Sequence, residues 1–348
     1  MGLQISEIVP RQEISLYDLK GKTIAVDAFN TIYQFLSTIR QPDGTPLMDS
    51  KHRITSHLSG LFYRTTNLLS QGLKLIFVFD GMPPEEKGLT HKARNEVKIE
   101  AQMKYEHAKE EGNIEEMGKY ARQLTKLTNE MIDESKELLN ALGIPIVQAP
   151  SEGEAQASFM CKTNEKIYTV ASQDYDSLLF SSPRLVQNLT LARKRRTSAG
   201  NFVPVYPELI ELEKVFNSLQ ITHEQLISLG ILVGTDYNPG GVKGIGPKKA
   251  LALVKQYKQP TLIFSAVEKQ LAGQGNGMEF DWQNIFELFK KPDVTDNYEI
   301  KFSNADIEEL SNILVDRHDF SEERVRGSFD KLEKIKEQQK QSDLKKWF

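Results

Sequence analysis

Residues 74–80 read KLIFVFD, five consecutive apolar side chains stopped by an aspartate, and residues 22–27 read KTIAVD, a shorter version of the same pattern. A strand with one wet face alternates apolar and polar residues. A run that stays apolar at every position belongs to a strand covered on both faces, as in parallel sheets flanked by helices. IPIVQAP at 144–150 is a third such segment, IYTVASQD at 167–174 a fourth that again ends near an acid, and RLVQNL at 184–189 a fifth. Helical periodicity lies between strands one and two (57–70, HLSGLFYRTTNLLS) and between three and four (153–163, GEAQASFMCKT). The expected fold class is α/β, a mostly parallel twisted sheet flanked by helices.

The 348 residues carry 44 Lys and Arg against 48 Asp and Glu, a net charge of -4, with 39% hydrophobic residues. That length suits about two domains, or one large domain with insertions. No apolar run approaches the roughly 18 residues of a membrane span, and the start MGLQISEIVP lacks the charged and apolar regions of a secretory signal. The single cysteine, Cys161, excludes an internal disulfide framework and a cysteine-cluster zinc site, and the 6 histidines show no metal-ligand spacing. Any metal ligands should therefore be oxygens.

The expected organisation is one large unit over 1–330 and a flexible tail over 331–348. Within the unit, 1–84 and 138–217 supply the sheet, and 85–137 is an insertion holding 10 Lys and Arg and 13 Asp and Glu. EEGNIEEMG at 110–118 should divide that insertion into two helical stretches with little core of their own. Residues 218–264 read as helices around a glycine-rich turn, and 265–330 as a C-terminal helical part.

In open α/β sheets ligands bind beyond the carboxyl ends of the strands. Asp27, Asp80, Asp174 and Asp176 stand at or just after three such ends, Glu152 and Glu154 follow the third strand, and Asp236 follows the apolar helix LISLGILVG. Seven carboxylates gathered at one edge need metal cations or strongly raised pKa values. An oxygen-only donor set suits Mg²⁺ or Mn²⁺. Two such ions about 4 Å apart activate a water and stabilise the leaving oxygen of a phosphodiester. Each acid also has an ordinary reading: Ser151 with Glu154 spells a capping box, and the aspartates suit turns.

GVKGIGPKKALALV at 241–254 is a Gly-hydrophobic-Gly turn with Pro247 placed for the first turn of a helix. Backbone N–H groups near Gly244 and Gly246 can face a phosphate, with Lys243, Lys248 and Lys249 adding positive charge. Such binding would be independent of base sequence. The alternative is a plain helix-helix turn. ARKRR at 192–196 reads as a basic loop. A net charge of -4 is compatible with nucleic acid if basic stretches flank an acidic centre. QSDLKKWF at the end of the chain places Gln341, Leu344, Trp347 and Phe348 on one side of a helical turn, as a peptide anchor for a partner's groove.

Taken together, MGLQISEIVP, IAVDAFNTIYQFL, FVFDGMPP, APSEGEAQAS, SQDYDSLLF, GTDYNPGGVKGIGPKKA and QSDLKKWF resemble, in this order and over the whole chain, the flap endonuclease family of structure-specific 5′ nucleases. The resemblance implies removal of 5′ single-stranded flaps, and 5′-3′ exonuclease action, at junctions with duplex DNA in Okazaki-fragment maturation and long-patch base excision repair. It implies Mg²⁺ as cofactor, two ions per chain, with Mn²⁺ able to substitute. Asp27, Asp80, Glu152 and Glu154 would serve the first ion, and Asp174, Asp176 and Asp236 the second. Lys87 and Arg94 match the family's basic pair near the scissile phosphate, and Tyr33 the aromatic that stacks on a base; from the residues alone, Tyr33 is equally a core tyrosine. Segment 85–137 corresponds to the helical arch. The glycine turn corresponds to a helix-hairpin-helix that also takes K⁺, and the tail to the peptide that binds the sliding clamp, PCNA.

The resemblance further implies a chain that is a monomer on its own and does not engage membranes. Ending at Phe348 without a Lys-rich extension resembles the archaeal form, with a cytoplasmic location. Two other readings share parts of this pattern: a PIN-like ribonuclease on the same acidic scaffold, and a non-catalytic clamp-bound DNA scaffold.

Overall fold

The computed structural model describes residues 3–41, 43–82, 100–108, 113–191, 194–196, 202–273, 275 and 277–344. All five expected strands are present. They are β2 (Thr23–Asp27), β3 (Lys74–Phe79), β4 (Ile146–Gln148), β5 (Ile167–Ala171) and β6 (Arg184–Gln187). Two short strands at the sheet's far side, β1 (Gln12–Glu13) and β9 (Glu208–Glu211), have no counterpart among the expected segments. The order is β1-β9-β6-β5-β2-β3-β4. β2 pairs in parallel with both β3 and β5, β3 with β4, and β5 with β6, while β9 runs antiparallel to β6 and to β1. After β2 the chain builds outward to β3 and β4, then returns to the other side of β2 for β5. The topological switch thus falls between β2 and β5, where the rule for open sheets places a crevice.

The helices are α1 (Ala28–Thr38), α2 (Ser56–Ser70), α3 (Ile114–Gln123), α4 (Asn129–Ala141), α5 (Gly153–Thr163), α6 (Asp176–Leu179), α7 (Leu212–Leu219), α8 (His223–Val233), α9 (Pro247–Tyr257), α10 (Pro260–Ala272), α11 (Trp282–Lys290), α12 (Ile307–Ser311) and α13 (Glu322–Leu344). Alternate residues of one strand serve opposite cores. Ile24, Val26, Leu75, Phe77 and Phe79 pack in a cluster with residues of α1, α2, α4, α12 and α13. Ala25, Ile76, Val78 and Val147 pack in another with residues of α5 and α8–α11. Burial on both faces is the physical reason the strands are apolar at every position.

Four expectations are corrected. The segment 110–118 does lie between two helical stretches, 100–108 and α3, but the break ends before Ile114, where α3 begins inside it. The end of the insertion is not coreless, because Met131 and Ser135 on α4 are buried, Met131 in the cluster that holds α2 and the sheet. KRR at 194–196 is a strand, β7, paired antiparallel with β8 (Phe202–Pro204), rather than a loop. The tail does not begin at 331: α13 runs through that position to Leu344, with Val325 and Leu332 buried.

Candidate metal centre at the sheet edge

Asp27 is the last residue of β2 and also the N-cap of α1, accepting a hydrogen bond from the Asn30 amide at 3.0 Å. Its other oxygen accepts from the Ser172 hydroxyl at 3.3 Å. Asp80 follows β3, and its Oδ1 accepts from the Gly153 amide at 2.8 Å. Asp174 follows β5, where its Oδ1 accepts from the amides of Leu3 (3.1 Å) and Asp176 (3.3 Å). Asp176 opens the short helix α6 and is buried. Asp236 sits two residues beyond the last residue of α8 kept by that helix's ladder, Gly234.

The capping-box reading of Ser151 and Glu154 is corrected. Glu152, not Ser151, is the N-cap of α5, and no side chain caps that helix. The Glu154 carboxylate turns instead to Ser177, accepting from both its amide (3.1 Å) and its hydroxyl. That contact aims an acid of the third strand's loop at the segment after β5.

Electrostatics bind the seven acids into one group. Burial, with the nearby charge of Asp80, pushes Asp27 up to about 7. Burial, with Asp236, pushes Asp174 up to about 6. Glu154 is raised well above the carboxylate range by burial and by Asp174, Asp27 and Asp176. Glu152 joins the set through Tyr237, a buried phenol hydrogen-bonded to it, whose pKa is raised by burial and by Glu152, Asp176 and Asp236. Tyr237 was invisible in the sequence as a site residue, although it adjoins Asp236. Its ring packs edge-on against Phe289 at 5.2 Å.

The donor set is all oxygen, held mostly by backbone amides and hydroxyls that leave lone pairs available. Raised pKa values of this origin mark carboxylates that repel one another with too little positive charge among the described residues to offset them. These properties fit a hard divalent cation. Among the described residues no three such side chains converge as a closed coordination shell. That is the arrangement mutually repelling carboxylates adopt, and one that suits an ion keeping several of its waters.

The remaining assigned residues fall into three groups. Tyr33 is no core tyrosine: it projects from α1 with 41% of its surface exposed, on the helix that Asp27 caps. In the glycine turn, Val242 and Ile245 are buried while Gly244, Gly246, Lys243, Lys248 and Lys249 lie on the surface. Gly246 caps α9, with Pro247 in its first turn as expected. Gly244 adopts φ +80°, a left-handed conformation that glycine takes without strain. Lys248 already pairs with Glu7 at 3.1 Å, an exposed contact worth little. Lys87, Arg94, Trp347 and Phe348 lie outside the described residues, and Gln341 and Leu344 fall in the last turns of α13.

Known proteins resemble this chain along its whole length. The XPG N-terminal domain matches residues 3–101 and the XPG I-region matches residues 143–236. Flap endonuclease 1 of Pyrococcus furiosus is 54% identical over 349 aligned positions, covering 100% of this chain and 99% of that one. Its counterpart in Pyrococcus abyssi is 53% identical, covering 100% and 98%. The solved flap endonuclease-1 of Methanococcus jannaschii superposes with a TM-score of 0.75 at 42% identity, covering 96% of this chain and 98% of that one.

Proposed function

The chain belongs to the flap endonuclease 1 family of XPG-type nucleases, and from that premise we propose that it hydrolyses the phosphodiester at the base of a 5′ single-stranded flap on duplex DNA. The observation that carries this reading is the gathering of seven acids from four loops and a helix end at one sheet edge, with Asp27 and Asp174 held at about 7 and 6. A protein that only bound DNA would gain nothing from repelling phosphate there.

Divalent-metal dependence follows from family membership. The finer assignment is two Mg²⁺ ions, Asp27, Asp80, Glu152 and Glu154 serving one and Asp174, Asp176 and Asp236 the other. The chemistry such ions supply when bound is an activated water and a stabilised leaving oxygen. The chain's own part is positional. Ser177 and Tyr237 orient Glu154 and Glu152, and the cap on Asp27 fixes one of its oxygens. Exposed Tyr33 offers a stacking face to a base of the reacting strand. Lys87 and Arg94 would offset charge that develops in the transition state.

The glycine turn with Lys243 and Lys249 would hold duplex phosphates through backbone N–H groups and lysine charge, whatever the base sequence. K⁺ at that turn, and docking of Gln341, Leu344, Trp347 and Phe348 on a sliding clamp, are parts of the same reading. A cytoplasmic location and 5′-3′ exonuclease action at single-strand/duplex junctions also belong to it.

The test is single-turnover cleavage of labelled substrates with Mg²⁺ or EDTA. A DNA 5′ flap should be incised near its junction only with Mg²⁺, and an RNA flap or plain single strand far more slowly. Preference for RNA would favour the PIN-like ribonuclease, and tight flap binding without incision the non-catalytic scaffold.

A further inference from the structure

Strand β4 ends on Gln148, and its side-chain amide reaches three backbone carbonyls. Nε2 donates to Asp80 O at 2.6 Å and lies 3.3 Å from Phe79 O and 3.4 Å from Ala149 O. Its Oε1 accepts from Lys136 Nζ at 2.9 Å. Lys136 projects from α4, the helix by which the chain returns from the charged insertion, and its Nζ stands 5.0 Å over the Phe79 ring. The ammonium decides which way the amide faces. An amide has one accepting and one donating end, so with Lys136 on Oε1 the donor end must meet the strand that delivers Asp80.

Main-chain bonds to the residues that follow Gln148 fix the same strand end. Ala149 N donates to Phe79 O (2.8 Å), Gly81 N to Ser151 O (2.6 Å) and Met82 N to Pro150 O (3.2 Å). Two glycines permit this closeness. A Cβ at Gly81 would come within 2.3 Å of Ala149 O, and one at Gly153 within 2.6 Å of Asp80 Oδ1. Asp80, Glu152 and Glu154 therefore ride on one stapled unit. Gln148 and Lys136 connect that unit to α4.

We propose that Gln148 and Lys136 are positioning residues for Asp80, setting the geometry in which the acids take up a divalent cation and tying that geometry to α4. The proposal rests on the metal-centre reading above. Neither residue touches the acids' carboxylates, so both act through the backbone of Phe79 and Asp80.

The experiment uses Gln148→Met, which keeps length but neither donates nor accepts as an amide does, together with Lys136→Met and Lys136→Arg. Mn²⁺ binding to the full chain without DNA is measured by calorimetry, beside single-turnover rates across Mg²⁺ concentration and thermal unfolding. Gln148→Met should weaken Mn²⁺ binding, and raise the half-saturating Mg²⁺, by about tenfold, the low end for groups that orient metal ligands. Its rate at saturating Mg²⁺ should return to within about twofold of wild type. Lys136→Met should show a smaller shift of the same kind, and Lys136→Arg should restore wild-type behaviour. Mn²⁺ binding equal in wild type and Gln148→Met, with or without a lower melting temperature, would overturn the proposal. Absence of Mn²⁺ binding in wild type would instead overturn the metal-centre reading itself.

Discussion

Two buried clusters of acids in this molecule behave in opposite ways. At the sheet edge, Asp27 and Asp174 face other carboxylates and are raised to about 7 and 6 by burial and by their neighbours' charge. In the core between α2, α4 and the segment before α13, Glu134 meets His57 Nε2 at 3.1 Å and His318 Nε2 at 3.2 Å. Asp49 meets His318 Nδ1 at 3.3 Å and Arg53 Nε at 2.8 Å. Burial alone would raise Glu134, yet the hydrogen bonds from His318 and His57 carry it down to about 2. Asp49 is likewise lowered despite burial, through the backbone and side chain of Arg53 and the Lys51 amide. The sheet-edge acids accept hydrogen bonds too, but their close charged neighbours are other acids, whereas Glu134 and Asp49 meet histidine and arginine side chains.

The largest expected effect tests that distinction by exchanging carboxylate for amide in each cluster. Asp174→Asn should lower single-turnover cleavage by about 10²–10³-fold, the scale of losing one preorganised charged group. The same change should raise the melting temperature of the metal-free protein, because it removes repulsion while an amide oxygen still accepts from Leu3. Glu134→Gln should do the reverse. It should cost about 1.5–3 kcal/mol of stability, the scale of a hydrogen bond to a charged group, and leave cleavage by the folded protein within a few-fold of wild type. Chemical denaturation and flap cleavage on both variants check the pair, and the same pattern in both would erase the contrast.

A smaller effect lies in the pH dependence of the metal-free protein. Between the ordinary aspartate value near 3.9 and about 6–7, folded Asp174 and Asp27 hold protons that the unfolded chain has released. Stability from these groups therefore falls as pH rises through that window. Glu134 works with the opposite sign: its contribution is complete above its ordinary value near 4.3 and is lost as pH falls toward about 2. Melting temperatures should decline from about pH 4 to pH 7, less steeply in Asp174→Asn. Added Mg²⁺ should raise the melting temperature more at pH 8 than at pH 5, since protons compete for the same oxygens. A Mg²⁺ effect independent of pH would detach cation binding from the raised acids.

The sheet-edge half of this contrast was legible in the sequence, and the histidine-bound half was not. KLIFVFD, KTIAVD and IYTVASQD identify strand ends because burial on both faces leaves an uninterrupted apolar signature, and an acid after such a run stands out. The antiparallel strands Gln12–Glu13 and Glu208–Glu211 leave no such signature, being two and four residues long, the first wholly polar and the second half polar. The continuation of α13 past 330 was readable in retrospect, since Val325, Phe329 and Leu332 keep helical spacing within an otherwise polar stretch. The partners of the acids were not readable. Ser177 lies 23 residues from Glu154, and His318 lies 269 from Asp49, so only the closed fold reveals which acid meets a donor and which meets another acid. Gln148 and Lys136 escape notice for the same reason, being ordinary polar residues until the fold sets one against the other.

The smallest expected effect concerns Tyr33. Tyr33→Ala should slow cleavage about tenfold, matching the loss of roughly 1–3 kcal/mol of base stacking, while Tyr33→Phe should react as wild type. Neither should change Mn²⁺ binding, since the exposed ring stands apart from the acids' hydrogen bonds. A loss in Tyr33→Phe equal to that in Tyr33→Ala would make the hydroxyl, rather than the ring face, the active feature.

The most direct measurement is a crystal structure of the full chain grown with Mn²⁺ and read by anomalous scattering. Peaks are expected at the sheet edge, one beside Asp27 and Asp80 and one beside Asp174 and Asp236, with none near Asp49 and Glu134. A sheet edge without Mn²⁺ at neutral pH, or a peak at the histidine-bound acids instead, would contradict the assignment of the seven acids as the cation site.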